Sequence, residues 1–259
     1  MSSALGEATC TVRSATPASE SAPAVRVVGL QKRYAAREVL GGVDLEVASG
    51  AAFGLVGVNG AGKTTLVKCL LDFCDFHAGV AEIFGVASRT VGARARLAFV
   101  PERFSPPHYL LCREFLGMAL GLAGEPYNAA SATRQLAELE LDPGVLERPV
   151  RQLSKGMTQK LGLAACFLLR RDLTLLDEPM SGLDPVSRVA VKSALARLSG
   201  EGRTLFFTSH VLADVEELCS SLGVLHAGAI VYAGPPSGLC ERYGEAHLER
   251  AFIRCIHGD

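Results

Sequence analysis

Nine consecutive residues, Gly57-Val58-Asn59-Gly60-Ala61-Gly62-Lys63-Thr64-Thr65, fit the spacing G-x-x-x-x-G-K-[ST]. Glycines at the fixed places let successive backbone N–H groups converge on anionic oxygens without Cβ clashes. Lys63 adds a mobile cation suited to the β- and γ-phosphates of a nucleotide, and Thr64 offers a hydroxyl to Mg²⁺. A helix opening at this loop would point the positive end of its dipole at the same anion.

A second group of reactive residues ends an apolar run, Leu173-Thr174-Leu175-Leu176-Asp177-Glu178. Parallel α/β sheets present ligands at the carboxyl ends of their strands, which is where this pair would sit. Alone, Asp177 and Glu178 could be an ordinary surface pair after a strand. Beside a phosphate loop they acquire separate work: Asp177 holds the Mg²⁺ shell, and Glu178 accepts a hydrogen bond from an attacking water and orients it.

The elements that must position these groups are visible as alternating apolar patterns. Val25 to Leu30 and Val39 to Val47 read as two early strands, with Gly41-Gly42 marking a bend or a close backbone approach. Ala52 to Val56 leads as a strand into the glycine loop, and Leu66, Leu70 and Phe73 follow at helical spacing. Leu161, Ala164, Ala165 and Leu168 mark a helix before the Leu173 to Leu176 strand. Val191, Ala194, Leu195 and Leu198 mark another, Thr204 to Thr208 a further strand, and Val211, Val215 and Leu218 a further helix. The alternation predicts an α/β fold with a mainly parallel sheet. Phe115 to Leu141 is helix-like with no strand signal, and Val224 to Val231, broken at Ala227-Gly228, reads as a terminal hairpin.

Taken in order, these features resemble the ATP-binding subunits of ABC transporters, over Val25 to about Gly234. Leu153-Ser154-Lys155-Gly156-Met157 sits where that family has its LSGGQ signature, and Ser181-Gly182-Leu183-Asp184 is similar to its D-loop. His210, in Thr208-Ser209-His210, is similar to the switch histidine that touches the γ-phosphate. Tyr34, placed in the first loop after a strand, is similar to the aromatic residue that stacks on adenine. Each has a duller reading: Tyr34 as a packing residue, His210 as a polar strand end, Ser154 as an N-cap and nothing more.

The resemblance implies a P-loop NTPase core of the ABC ATPase type, with an antiparallel N-terminal β region, that binds ATP with Mg²⁺ and hydrolyses it. Residues 1–23, rich in Ala, Ser, Thr and Pro, read as a flexible tail, and the resemblance implies an ATP-binding domain over 24–240, with a helical insert at about 103–170. A short C-terminal helix over 241–259 would follow, where Leu248, Phe252 and Ile256 recur at helical spacing. Two copies, or two related subunits, would sandwich ATP, with Ser154, Lys155 and Gly156 meeting the partner's nucleotide and Asp184 communicating between them. A separate integral membrane permease subunit is implied as partner, with the chain peripheral on the cytoplasmic face of the membrane.

Three departures from the commonest family pattern stand out. Glu102, in Leu97-Ala98-Phe99-Val100-Pro101-Glu102, replaces a glutamine and would bring a full charge to Mg²⁺ and water. Lys155 replaces the first glycine of the signature pair, either to aid the γ-phosphate or to reach solvent, and Met157 replaces its glutamine. Glu102 and the Ser154-Lys155-Gly156-Met157 variant both resemble those of exporters whose ATPase and membrane subunits are separate chains.

Composition bounds the alternatives. At 259 residues, 49% hydrophobic and 20% charged with a net charge of -1, the chain suits one α/β domain and gives no electrostatic reason for a nucleic-acid partner. Its eight cysteines lack C-x-x-C spacing and read as reduced thiols. No apolar run approaches the roughly 20 residues of a membrane-spanning helix. A P-loop GTPase or kinase is a further alternative; the guanine-reading N-K-x-D cannot form, because the only asparagines, Asn59 and Asn128, precede no lysine. A soluble ABC-type ATPase acting on ribosomes or nucleic acid is the competing reading, against which stands the lack of a second ATPase domain or a coiled-coil insert.

Overall fold

The computed structural model describes residues 22–258, so the tail expected over residues 1–23 lies outside them apart from its last two positions. The chain begins with a hairpin of β1 (Val25–Tyr34) and β2 (Arg37–Val47), joined by Ala35-Ala36 with Ala35 at φ +50°. Gly41-Gly42 serves both expected purposes. Gly42 takes φ +99°, open to glycine, and the Gly41 N–H donates to the Gly228 carbonyl at 2.9 Å. The fully buried β3 (Ala52–Val56) then enters the glycine loop, and α1 (Lys63–Leu70) leaves it.

The helical spacing suggested an α1 that reaches Phe73, and this is corrected. With Asp72 at φ +60°, the Phe73 N–H turns back to the Lys68 carbonyl at 2.8 Å, closing the helix. Phe73 is 64% exposed, its ring set edge-on against Phe99. β4 (Ala78–Ile83) and β5 (Val86–Ala87) follow, neither of them expected, and complete a four-stranded antiparallel sheet in the order β2-β1-β4-β5.

After α2 (Val91–Arg94), β6 (Leu97–Val100) and a loop over residues 101–111, every element up to the next strand is helical. The chain forms α3 (Cys112–Leu122), α4 (Ala129–Glu138), 3-10 turns at Pro143–Glu147 and Val150–Gln152, and α5 (Lys155–Leu168). Then come β7 (Leu173–Asp177), α6 (Pro185–Gly200), β8 (Thr204–Ser209), α7 (Leu212–Leu218), β9 (Ser221–His226) and β10 (Ala229–Gly234). The second sheet runs β10-β9-β3-β8-β7-β6, parallel except for the β9–β10 hairpin. The short C-terminal helix expected over 241–259 is α9 (Leu248–His257), and a further helix, α8 (Pro236–Tyr243), precedes it, ended by Gly244 at φ +63°.

The central strands β3, β7 and β8 of the six-stranded sheet are buried on both faces, which is why they read as continuous apolar runs. Alternate residues divide between two cores. Leu173, Leu175, Phe206 and Leu225 meet the four-stranded sheet and α1, whereas Leu176, Leu205, Phe207 and Val224 meet the helices on the other side. α1 is therefore clamped between the sheets through Leu66, Val67, Cys69 and Leu70, fixing the loop at its head. No helix among the described residues is long and apolar enough to cross a membrane.

Candidate functional site

At the carboxyl ends of β3, β7 and β8 a cavity of about 480 Å³ opens between the glycine loop and the β1–β2 hairpin. The loop's glycines are demanded by geometry. A Cβ on Gly57 would lie 2.4 Å from the Leu225 carbonyl oxygen, and Gly62, at φ +113°, would drive one to 2.8 Å from Leu40 Cδ2. Gly62 is the N-cap of α1 with no capping side chain, which leaves the first N–H groups of that helix for an anion.

Lys63 is buried, and its Nζ turns back to donate to the Gly57 carbonyl at 2.7 Å. Burial lowers its pKa from the ordinary lysine value, opposed by the carboxylates of Glu178, Asp177 and Glu102. Asp177 ends β7 only 3% exposed, and its Oδ1 accepts from the Thr208 hydroxyl at 2.6 Å. The Thr208 oxygen in turn accepts the Glu178 N–H at 3.0 Å. Thr208 thus orients both carboxylate-bearing residues, a role that only the register of β7 against β8 reveals, since Asp177 and Thr208 are paired there.

Glu178 has φ +49°, a left-handed conformation that costs a non-glycine residue on the order of 1 kcal/mol or more. Its Oε2 lies 2.8 Å from His210 Nδ1, so the carboxylate and the imidazole face one another across the cavity wall. Tyr34, Val58, Asn59, Gly60, Gly62, Lys63, Thr64, Thr65, Glu102, Glu178 and His210 all line this cavity. Ala61 is buried beneath it. Tyr34 is corrected in place: it is the last residue of β1 and not a loop residue, and it is 46% exposed. Arg37 and Val39 on β2 line the cavity too; an exposed arginine in a hairpin carries no sequence signal for that role.

Thr64, Glu102 and Asp177 share an adjoining hollow of about 310 Å³. No group of three or more His, Cys, Asp or Glu among the described residues could hold a metal alone. One hydroxyl and two carboxylates nevertheless suit Mg²⁺, a hard cation that takes few protein ligands and completes its shell with phosphate and water oxygens. The loop carrying Glu102 is tied to α5, because the missing side chain of Gly162 admits the Phe104 ring; a Cβ there would sit 2.8 Å from Phe104 Cδ1.

Ser154, Lys155, Gly156 and Asp184 do not line the cavity. Ser154 caps α5, its Oγ accepting the Met157 N–H at 3.2 Å, and the start of that helix is solvent-exposed. Lys155 is solvent-exposed, and its stem passes over Gly182, where an added Cβ would lie 3.3 Å from Nζ. Asp184 caps α6, accepting from the Ser187 hydroxyl at 2.7 Å and the Ser187 N–H at 3.0 Å, and those bonds lower its pKa from the usual aspartate value.

A family model described as ABC transporter matches residues 40–181. The chain is 35% identical to an uncharacterized ABC transporter ATP-binding protein of Nostoc sp., over 81% of this chain and 64% of that protein. It is 32% identical to Nod factor export ATP-binding protein I of Ralstonia nicotianae, over 86% of this chain and 70% of that protein. It is 34% identical to a daunorubicin resistance ATP-binding protein of Streptomyces coeruleorubidus, over 87% and 72%. The chain spans less than two thirds of the length of the Nostoc relative and of a second cyanobacterial one, from Synechocystis sp., 64% and 56%. A solved structure titled as the ATP binding subunit of an ABC transporter superposes with a TM-score of 0.79 at 28% identity, over 89% of this chain and 98% of that one.

Proposed function

The chain belongs to the ABC transporter family, and on that premise we propose that it hydrolyses ATP to drive export through a separate integral membrane permease subunit. The observation that carries the reading is one cavity that holds the phosphate loop with Lys63, the carboxylate of Glu178 and the ring of His210. The family premise supplies ATP as the nucleotide, and the names of the Nod factor export and daunorubicin resistance relatives supply the direction.

In this reading the Tyr34 ring stacks on the base, and the backbone N–H groups of residues 57–65 take the phosphates. Lys63 releases the Gly57 carbonyl and donates to the β- and γ-phosphates. Thr64, Asp177 and Glu102 would hold Mg²⁺, which neutralises charge building on the phosphate oxygens. Glu178 accepts a hydrogen bond from the attacking water and aligns it with the γ-phosphorus. His210, now on Glu178, turns to that phosphate. Thr208 fixes the two carboxylate residues so that neither swings away.

The exposed cap at Ser154, with Lys155 and Gly156, then faces ATP bound by a second copy or a related subunit, and Asp184 sits where the two meet. The permease would dock on the helical segment and the loop after Glu102, where Tyr109 and Leu122 are exposed apolar side chains. That partner would keep the chain peripheral at the cytoplasmic face. The test is Glu178→Gln: ATP binding persists, turnover falls at least about 100-fold, and ATP-bound dimers accumulate. Turnover equal to the wild type would remove Glu178 from this role.

A further inference from the structure

Two thiols meet in the turn after α1, which Lys32 joins to the tyrosine that lines the cavity. Cys69 sits on the inner face of α1, fully buried, and its Sγ lies 3.6 Å from that of Cys74, which is half-buried. The turn after α1 creates the meeting. Asp72 at φ +60° and the Phe73-to-Lys68 hydrogen bond fold residues 71–74 back over the last turn of the helix. Lys32 joins that turn to Tyr34: its Nζ donates to the carbonyl of Asp75, the neighbour of Cys74, at 2.5 Å and lies 4.8 Å from the Tyr34 ring centroid. In keeping with that proximity, the Cys74 thiol is the first of the influences raising the Tyr34 pKa, followed by burial, and the Thr65 hydroxyl acts in the opposite sense.

We propose that Cys69 and Cys74 form an oxidant-sensitive dithiol whose closure to a disulfide weakens nucleotide binding at the Tyr34 platform, an inference that rests on the cavity being an ATP site. The oxidant class is a hydroperoxide. The Cys74 thiolate, the accessible one, attacks a peroxide oxygen; an S–O bond forms, the O–O bond breaks, and the leaving hydroxide takes up a proton as water. Cys69 sulfur then attacks Cys74 sulfur, an S–S bond replaces the S–O bond, and a second water leaves with the Cys69 proton. Two thiols have lost two electrons to one peroxide.

The order of attack follows from the surroundings. Burial pushes the Cys69 thiol up to about 12, with Lys32 and Arg89 pulling against it, so it suits the resolving and not the initiating role. Bonding shortens the sulfur–sulfur gap from 3.6 Å to about 2 Å, between thiols that the turn already holds in contact. The linked Cys74 sulfur has no proton to offer Tyr34 and is drawn toward α1. The platform for the base is disturbed while Lys63, Asp177 and Glu178 are untouched.

The experiment treats the full chain with hydrogen peroxide, then measures ATP binding and maps thiols after trypsin digestion. Residues 69–89 form one tryptic peptide containing both cysteines and no other. In the wild type that peptide becomes lighter by two hydrogen atoms, ATP affinity falls about three- to ten-fold with kcat kept, and dithiothreitol reverses both. Cys74→Ser binds ATP as the reduced wild type does and shows no response to peroxide. The proposal is overturned if the peptide keeps both thiols under conditions that oxidise the half-buried Cys240, if the linked protein binds ATP unchanged, or if Cys74→Ser still loses affinity. A reduced wild type without ATP affinity would overturn the reading of the cavity itself.

Discussion

Two helices begin at functional sequences, and their surroundings are opposite. α1 opens inside the cavity, with Lys63 buried and three carboxylates near enough to oppose the lowering of its pKa. α5 opens into solvent, its cap Ser154 satisfied by the Met157 N–H and its first residues outside the cavity. Both helix starts carry the same positive dipole end. One opens into a cavity lined by Lys63, Glu178 and His210, and the other opens at an exposed cap whose Ser154 takes the Met157 N–H. The contrast fits the proposal that the second helix start serves a nucleotide bound by a partner subunit.

The largest effect should come from the built half. Glu178→Gln should cut turnover by about 100-fold or more and leave ATP binding intact, because the amide cannot align water as the carboxylate does; comparing kcat with equilibrium binding separates the two. Lys63→Ala should weaken ATP binding itself by about ten-fold or more, since it deletes the cation aimed at the phosphates, and calorimetry would read it directly. Equal affinity would place the phosphates elsewhere.

Thr208→Val comes next. It keeps the shape but strips Asp177 and the Glu178 N–H of their shared hydroxyl, inside a buried site. A loss of about 1–3 kcal/mol in unfolding free energy is expected, with turnover reduced as well. Stability and turnover both unchanged would show that Thr208 does not hold the pair.

The smallest effect belongs to the solvent-facing half. Asp184 has its pKa depressed by the Ser187 bonds, so its contribution to stability is complete above the unfolded aspartate value and is lost as pH falls through the lower folded value. Thermal unfolding followed into acid should show a shallower decline for Asp184→Asn, which still caps α6. Identical acid limbs would contradict the role of Asp184 as a charged cap.

Much of the built half was legible in the sequence because its constraints are local. The glycine spacing, the Leu173 to Leu176 run and the buried strand at Thr204 to Thr208 each reflect burial on both faces or a backbone need, and both write themselves into residue type. β4 escaped because only Ala81 and Ile83 of its six residues are buried, and the two residues of β5 are both exposed. α1 read too long because Phe73 falls at helical spacing, while the decisive feature is the left-handed Asp72 before it. Thr208, Arg37 and Phe104 gain their roles from register and from long-range approach, which no spacing along the chain encodes.

The claim that each site is shared between two chains is tested most directly by mixing two inactive variants. Lys63→Ala lacks a working phosphate loop but keeps its α5 cap. Gly156→Asp keeps the loop and places a carboxylate where the partner's γ-phosphate should arrive; Gly156 has room for a side chain, the nearest contact of an added Cβ being 3.6 Å from Leu183 Cδ2. An acid in the first helical turn also suits the α5 dipole, so folding should hold. The account predicts that each variant alone is nearly inactive and that the mixture recovers ATP hydrolysis, because mixed dimers contain one intact site. Full activity of Gly156→Asp alone, or a mixture as inactive as its two components, would contradict it.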